Sequence, residues 1–178
     1  PNVIVPEAML PSYAADPVWS SYNLFSSREL GYTLNGDGTG YLVSRGAYGD
    51  GIVMIPAEHE GLPVVGVAES GFSSSMVSHV EFPDTVTAIG SGAFNYCNKL
   101  ESVKFGSGLV TIGESAFSNS GLHSVSLPAS VRSIGSNAFS SSTILGVTLN
   151  EGLEYIGSYS FSGTRISKIT IPESVTFV

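Results

Sequence analysis

The chain has 178 residues, of which 42% are hydrophobic and only 12% are charged, and its formal net charge is −8. This length is enough for one domain with a sizeable core. The seven basic residues form no cluster, which argues against nucleic acid or an anionic membrane as a partner, and no apolar run approaches the roughly 20 residues that a membrane-spanning helix needs.

The cysteine content and the first residue bound the remaining chemistry. The single cysteine, Cys97, excludes an intrachain disulfide, and no Cys and His residues have zinc spacing. The sequence starts at Pro1 with neither an initiator Met nor a signal peptide. We therefore expect it to be part of a longer gene product whose targeting information lies elsewhere. We expect no cofactor and no metal.

Residues 1–29 show no repeat. Three prolines, Pro6, Pro11 and Pro17, separate apolar and aromatic residues such as Trp19. This composition predicts an extended N-terminal segment or linker, packed in part on the element that follows it. The alternative is that these residues are the tail of a preceding domain.

Residues 30–66 combine a hairpin with the start of the repeating part. The stretch "LGYTLNGDGTGYLVS" is two alternating runs around a turn of Gly, Asn and Asp, which predicts a β-hairpin. "IVMIP" then indicates an incomplete first coil, with Val53 and Ile55 pointing inward and Val64 and Val67 continuing the pattern. A hairpin here would cover the open edge of that coil.

A phenylalanine recurs at intervals of 22 or 23 residues along the second half of the chain. A small residue precedes each Phe, and an aliphatic residue stands five positions before it, followed by Gly in four of the five copies. Such a period is the signature of a solenoid. We interpret the column as core rather than as an aromatic platform for sugars. It consists of Phe72, Phe94, Phe117, Phe139 and Phe161.

Each copy continues after its Phe with an alternating apolar stretch, such as Leu122, Val125 and Leu127, and then with Pro, Gly or Asn. Period-two alternation predicts a short strand with one buried face, which the breaker ends. The "IGxxAF" piece lacks this alternation. We predict a turn and a single helical or 3₁₀ turn there, on the opposite side of the coil.

Stacking explains how such short units fold. One unit cannot bury its own apolar face, but stacked units can. The sequence therefore predicts a right-handed, β-rich solenoid with short parallel strands, one per coil, and an N-terminal β-hairpin cap. The solenoid spans residues 67–178, and its last repeat is truncated, because Val175 and Val178 match the start of a further copy that lacks its Gly and Phe.

The unit "LxxVxLPxSVxxIGxxAFxxC" resembles the BspA-like leucine-rich repeats of bacterial surface proteins, and the match runs from roughly Leu30 to the end of the chain. The resemblance implies a leucine-rich-repeat fold and an extracellular or cell-surface location. It also implies, for some members, adhesion to matrix proteins or other microbes. Only Cys97 has the cysteine of the family pattern, and the other copies carry Ser75, Ser120, Ser142 and Thr164.

Several residues invite a chemical role, and for each we favour a structural one. "NGDGTG" has the glycines of a phosphate loop but no following helix, and Asn35, Asp37 and Thr39 begin a calcium loop whose twelfth position is Gly46. We interpret this stretch as a hairpin turn.

The stretch "AEHEG" and the remaining polar residues receive the same interpretation. Glu58, His59 and Glu60 would point apart in an extended segment, so we expect an exposed loop. The serines lack the base that a nucleophile needs. We expect those after each Phe to bond the backbone of the turn, with Cys97 as a semi-buried substitute.

Strand alternation places two columns of side chains on the outer face of the sheet. One column consists of His79, Ser102, Ser124, Gly146 and Lys168, and the next consists of Glu81, Lys104, Ser126, Thr148 and Thr170. Glu81 and Lys104 lie on neighbouring strands of that face, where they can pair. Tyr155 shares its repeat position with Phe177, where earlier copies have smaller residues. The predicted binding surface consists of His79, Glu81, Ser102, Lys104, Ser124, Ser126, Thr148, Lys168, Thr170 and Tyr155.

From these observations we expect a non-enzymatic binding or adhesion module that recognises a protein or a glycan. The alternative is a structural spacer or accessory domain of a larger secreted protein or enzyme. Catalysis within these residues is disfavoured because no acid, base and nucleophile are predicted to converge. We expect a monomer, or weak self-association through the exposed C-terminal coil.

Overall fold

The computed structural model describes residues 2–19, 22–47 and 50–176. Its strands are β1 Asn2–Val5, β2 Asn23–Ser26, β3 Gly31–Leu34, β4 Tyr41–Ser44, β5 Gly51–Met54, β6 Glu58–His59, β7 Leu62–Val67, β8 Val77–Glu81, β9 Ala88–Ile89, β10 Ser102–Lys104, β11 Thr111–Ile112, β12 Ser124–Ser126, β13 Ser133–Ile134, β14 Gly146–Thr148 and β15 Tyr155–Ile156. Helix α1 spans Leu10–Ala15, and 3₁₀ turns span Glu7–Met9 and Ser27–Glu29.

These strands stack into a solenoid, as predicted. The first sheet has the order β10-β8-β5-β1-β2, all parallel, and the pair β12-β14 continues the same series after a break in the hydrogen-bonded ladder. The second sheet has the order β15-β13-β11-β9-β7-β4-β3. Each later coil therefore has two strands rather than the single one predicted. The second is only two residues long, too short to show alternation in the sequence.

The phenylalanines form the centre of the core, as predicted. Phe72, Phe94, Phe117 and Phe139 are completely buried. Adjacent rings in the column stack with centroids 5.0–5.4 Å apart. Apolar residues of both sheets surround this column, so each coil closes its apolar face only against the coils above and below it.

The piece of each coil that carries the Phe is a series of β-turns, whereas a helical or 3₁₀ turn was predicted. In the third copy, Ser115 and Asn119 have φ angles of 53° and 55°, which a right-handed helical turn does not allow. The amides of Ser115, Phe117 and Asn119 donate to carbonyls of the next coil at 2.7–2.9 Å. The turn is thus hydrogen-bonded from coil to coil, as a strand would be.

The N-terminal residues form part of the first sheet, rather than the predicted extended segment or linker. β1 pairs in parallel with both β2 and β5, and Val3, Ile4 and Val5 are completely buried. Helix α1 lies in the crossover from β1 to β2. The reason is that β1 covers the edge of β5, which the sheet would otherwise expose.

The predicted hairpin is present and caps the second sheet. β3 and β4 are antiparallel, and β4 pairs in parallel with β7. The turn satisfies its own polar groups, since Asn35 accepts bonds from the amides of Thr39 and Gly40 at 2.9 and 3.1 Å. Hydrogen bonds from Thr39 to the Asp37 carboxylate lower its pKa.

Two further segments differ from the predicted ones. Glu58 and His59 form β6, a short hairpin with β7 instead of a loop, because Glu60 and Gly61 have the positive φ angles of 49° and 81° that a tight hairpin turn needs. The last predicted strand, in "KITI" at residues 168–171, is not paired as a strand among the described residues. Within the described part of the chain, no helix has the length and apolar character needed to cross a bilayer.

Tyr32, on the hairpin, provides a test of this packing. Its hydroxyl donates to the Ser27 carbonyl at 2.8 Å, and its ring stacks on that of His59 with the ring centroids 3.6 Å apart. Burial raises the pKa of Tyr32 to about 12. The unfolded chain then loses this proton first, so the free energy of unfolding should fall as the pH rises from about 10 towards 12.

An absorbance titration of tyrosinate checks this prediction. We expect the last of the titration steps to disappear in Tyr32→Phe and to merge with the others in concentrated urea, where burial is lost. A step that persists unchanged in Tyr32→Phe would show that the hairpin does not bury this hydroxyl.

Candidate functional site

The first sheet and the pair β12-β14 present most of the predicted surface residues on their outer faces. His79 lies opposite Ser102 and Glu81 opposite Lys104. Ser126 lies opposite Thr148, and Ser124 is opposite a glycine, which confirms the predicted registers. The side chains of this face therefore stand in columns at the spacing of adjacent strands, about 4.8 Å.

Side-chain contacts link neighbouring residues within each column at the N-terminal end of the solenoid. Lys104 forms an ion pair with Glu81, as predicted, and the contact raises the pKa of the Lys104 amine. His79 Nδ1 and Ser102 Oγ are 2.6 Å apart. Both pairs are largely exposed, so each contributes little to stability, but they fix the directions of the side chains.

Three predicted surface residues lie apart from these columns. Lys168 and Thr170 are exposed in the segment that is not paired as a strand. Tyr155 is about one-third exposed and lies on β15, in the second sheet, where it is opposite Ser133. It is therefore on a different side of the coil. Phe177, which shares its repeat position, falls outside the described residues.

The polar residue three positions after each Phe has a structural role. Ser142 and Thr164 donate to the carbonyls of Phe139 and Phe161 at 2.6 and 2.8 Å, as predicted. Ser120 does not follow this prediction, because its Oγ is buried without a partner among the described residues. Cys97 is completely buried, not semi-buried as predicted, because its thiol fits between coils and donates to the Phe72 carbonyl at 3.0 Å. Burial raises the pKa of this thiol.

We call the outer face of the first sheet and of the pair β12-β14 the strand face. Three adjoining cavities form a groove beside it, at the carboxyl ends of the strands. The first, of about 810 Å³, is lined by residues after β1 and β5, including Glu7, Glu58, His59 and Glu60. All three cavities contain Ala57, so they meet at that residue.

The second and third cavities extend the groove along the solenoid. The second, of about 330 Å³, is mainly apolar and lies between Met9 and Tyr13 of the α1 region and Met54 of β5. The third, of about 460 Å³, reaches the Glu81–Lys104 ion pair. The groove and the strand face therefore share these two residues.

The groove differs in charge along its length. Glu7, Glu58 and Glu60 are exposed around the first cavity, and no described residue lining it is Lys or Arg. The Tyr41 hydroxyl donates to Glu60 Oε2 at 3.2 Å and so orients one of these carboxylates. At the other end Lys104 neutralises Glu81, and Asp84 accepts a bond from the amide of Ser107 at 2.6 Å.

The described ionisable side chains at the first cavity are three carboxylates and the His59 imidazole. Among the residues that the structure describes, no group of three or more His, Cys, Asp or Glu side chains is placed to hold a metal ion. His59 contacts the rings of Tyr32 and Tyr41, with centroids 3.6 and 4.9 Å apart. The carboxylates of Glu58 and Glu60 are exposed nearby, and a carboxylate accepts strong hydrogen bonds from a cationic group.

Comparison with known families identifies the repeat. The family described as "BspA type Leucine rich repeat region" matches residues 66–178 in six copies. The chain belongs to this family. Repeats of this kind generally build non-enzymatic scaffolds. The chain has no match among curated proteins.

Solved structures of bacterial leucine-rich-repeat proteins are similar to this BspA-type protein. A Treponema pallidum protein, described as "T. pallidum Leucine Rich Repeat protein (TpLRR)", shares 29% identity and a TM-score of 0.75, over 82% of this chain and 70% of that one. A leucine-rich-repeat protein of Bacteroides ovatus shares 27% identity and a TM-score of 0.71, over 83% of this chain. The chain spans only 41% of the length of that second protein.

A third similar structure carries a statement about location in its description. It is a "leucine rich cell surface protein" of Faecalibacterium prausnitzii, with 25% identity and a TM-score of 0.58, over 86% of this chain and 49% of that one.

Sequence reasoning missed the groove, because one of its walls comes from residues interpreted as a linker. Met9 and Tyr13 meet Met54 only through the pairing of β1 with β5. One signal was available. The run "NVIV" before Pro6 has the apolar, β-branched character of a strand buried on both faces.

Proposed function

We propose that this BspA-type repeat protein is a non-enzymatic binding or adhesion module that recognises a protein or a glycan through its repeat-built surface. The observation that carries the proposal is the exposed strand face, whose side chains stand in register from coil to coil beside a continuous groove. Repeat proteins bind their partners through extended surfaces built in this way.

The composition of the face favours many weak contacts over a few strong ones. Its exposed residues include Ser102, Ser124, Ser126 and Thr148, which offer hydroxyl groups but little apolar area. Binding hot spots usually involve Trp, Tyr or Arg. We therefore expect modest affinity per site, strengthened where many copies are displayed together.

A location at the cell surface or outside the cell is part of the proposal. It is supported by the family and by the description of the similar Faecalibacterium prausnitzii protein as a cell surface protein. At such a surface, multiple copies would face the same ligand, so weak individual binding is sufficient.

A binding screen with a matched pair of variants tests the proposal. The immobilised chain is presented with panels of matrix proteins and glycans. Ser126→Arg adds an exposed positive charge to the strand face, and Thr111→Arg adds one to an exposed position of the second sheet. For a ligand found in the screen, we expect Ser126→Arg to weaken binding roughly tenfold or more, because it crowds the face, and Thr111→Arg to change it less than about twofold.

Two results would contradict the proposal. One is the absence of any ligand for the folded chain, which would favour a spacer role. The other is equal weakening by both variants, which would show that binding depends on net charge rather than on the strand face.

A further inference from the structure

We propose that the groove is a binding site for an extended cationic peptide segment, with a basic side chain in the acidic first cavity and an apolar side chain in the second. This inference rests on the proposed binding function and names its partner class. It also places the contact beside the strand face, where Glu81 and Lys104 border both surfaces.

The length of the groove suits a short extended peptide. It follows the carboxyl ends of four neighbouring strands, β1, β5, β8 and β10. Three steps of about 4.8 Å make it roughly 15 Å long, which is the span of four or five residues at about 3.3 Å each. A groove of this length accommodates a single extended segment of chain.

The charges of the groove select a basic residue at one end. Glu58 and Glu60 are exposed at the first cavity, and none of the described residues that line it is Lys or Arg. A guanidinium or ammonium group bonds well to such carboxylates. The opposite end is unsuited to this role, because Lys104 already occupies Glu81 and would repel a cation.

The middle of the groove selects an apolar residue. Met9 is 45% exposed although it belongs to a wall of the cavity, and Tyr13 and Met54 are half-buried beside it. Methionine side chains adapt to ligands of different shape. An apolar side chain placed here would cover Met9 and gain the usual free energy of burial.

The probes are labelled hexapeptides measured by fluorescence anisotropy with the full chain. One has the sequence Arg-Arg-Ser-Leu-Leu-Ser, and a second has the reverse order, because the groove does not define the direction of the peptide. In the matched controls, Glu replaces both Arg residues or Ser replaces both Leu residues. We expect at least one Arg peptide to bind, more weakly as salt is added, and both control types to bind at least roughly tenfold more weakly.

Two pairs of variants locate the contact. Ala57→Trp fills the point where the three cavities meet, and Ala129→Trp adds the same side chain at an exposed loop outside the groove. We expect Ala57→Trp to lower the affinity for the Arg peptides roughly tenfold, and Ala129→Trp to lower it less than about twofold.

The second pair separates local charge from net charge. The double variant Glu58→Gln with Glu60→Gln removes two negative charges at the first cavity, and Glu114→Gln with Glu151→Gln removes two elsewhere on the exposed surface. We expect the first to weaken the Arg peptides roughly three- to tenfold and to flatten the dependence on salt, while the second leaves affinity nearly unchanged. These conservative variants keep the test valid even where Ala57→Trp disturbs folding.

The assignment is overturned if no Arg peptide binds, or if the control variants weaken binding as much as the groove variants. These failures differ from failure of the proposed function. A ligand from the screen that still binds and is still sensitive to Ser126→Arg would leave the binding function intact and remove only the groove from it.

Discussion

Replacing Phe117 with Ala is expected to lower the free energy of unfolding by about 3–5 kcal/mol. The ring is completely buried and stacks on Phe94 and Phe139, with centroids 5.2 and 5.4 Å apart. Phe105 meets its edge at 5.9 Å. The cavity left by truncation would not collapse readily, because backbone hydrogen bonds hold the neighbouring coils at a fixed distance.

Urea unfolding of the two proteins measures this loss, and the same column supplies a matched control. Phe161 occupies the equivalent position in the last complete copy but is only half-buried. Among the described aromatic residues it stacks only on Phe139, with ring centroids 5.4 Å apart. Phe161→Ala is therefore expected to cost about 1–2 kcal/mol. Equal losses of unfolding free energy in the two variants would mean that the interior and the end of the column are packed alike, which would contradict this solenoid packing.

The parts of this fold that repeat were predictable from the sequence. Because the same contacts recur in each copy, five aligned copies show which positions are apolar, small or turn-forming, and a single copy does not. Phe117, Val125 and Leu127 were predicted as core in this way, and all three are buried. The opposition of Glu81 and Lys104 followed from the same register.

The parts that do not repeat were predictable only where a local signal was strong. The hairpin of residues 31–44 was recognisable from its alternation and its "NGDGTG" turn. β1 and β2 were missed because β1 pairs with β2 and with β5, both well separated from it in sequence, and because the prolines favoured a linker. Tertiary pairing of this kind produces no periodic pattern in the sequence.

The two parts of the candidate site, the strand face and the groove, differ in the same way. Its strand face is a product of the repeat, so the columns containing His79 and Ser126 were predicted with their correct neighbours. The groove depends on α1 crossing from β1 to β2, and it brings Met9 next to Met54 across 45 residues of sequence. No spacing rule predicts such a contact, because only one copy of it exists.

The glycine of the repeat gives the second large effect, and the reason is space rather than backbone conformation. A Cβ added to Gly113 would lie 2.7 Å from the amide nitrogen of Ser91 and 2.9 Å from the Ile89 carbonyl oxygen. Both atoms belong to the backbone of the preceding coil, which cannot rotate away as a side chain can. Gly135 meets the backbone at Glu114 in the same way, with 2.6 Å to its amide nitrogen.

The first copy shows why this requirement is local. It carries Ala68 in the same slot, where the preceding layer is β4 of the hairpin and not another turn of the repeat. The amide of Ala68 still bonds to the Val43 carbonyl at 2.9 Å. A Cβ is thus tolerated against the cap, whereas between two repeat coils it would force them apart and stretch the bond from Gly113 N to Ile89 O, which is 2.9 Å long.

Gly113→Ala is therefore expected to lower the free energy of unfolding by about 3 kcal/mol, at the upper end for an overpacked core position. Gly36→Ala, in the hairpin turn, is the matched control, since a Cβ there has no heavy atom within 4 Å. That variant should be neutral or up to about 0.5 kcal/mol more stable, because alanine restricts the unfolded chain. Urea unfolding compares the two, and stabilisation by Gly113→Ala would show that the coils are not in contact at this slot.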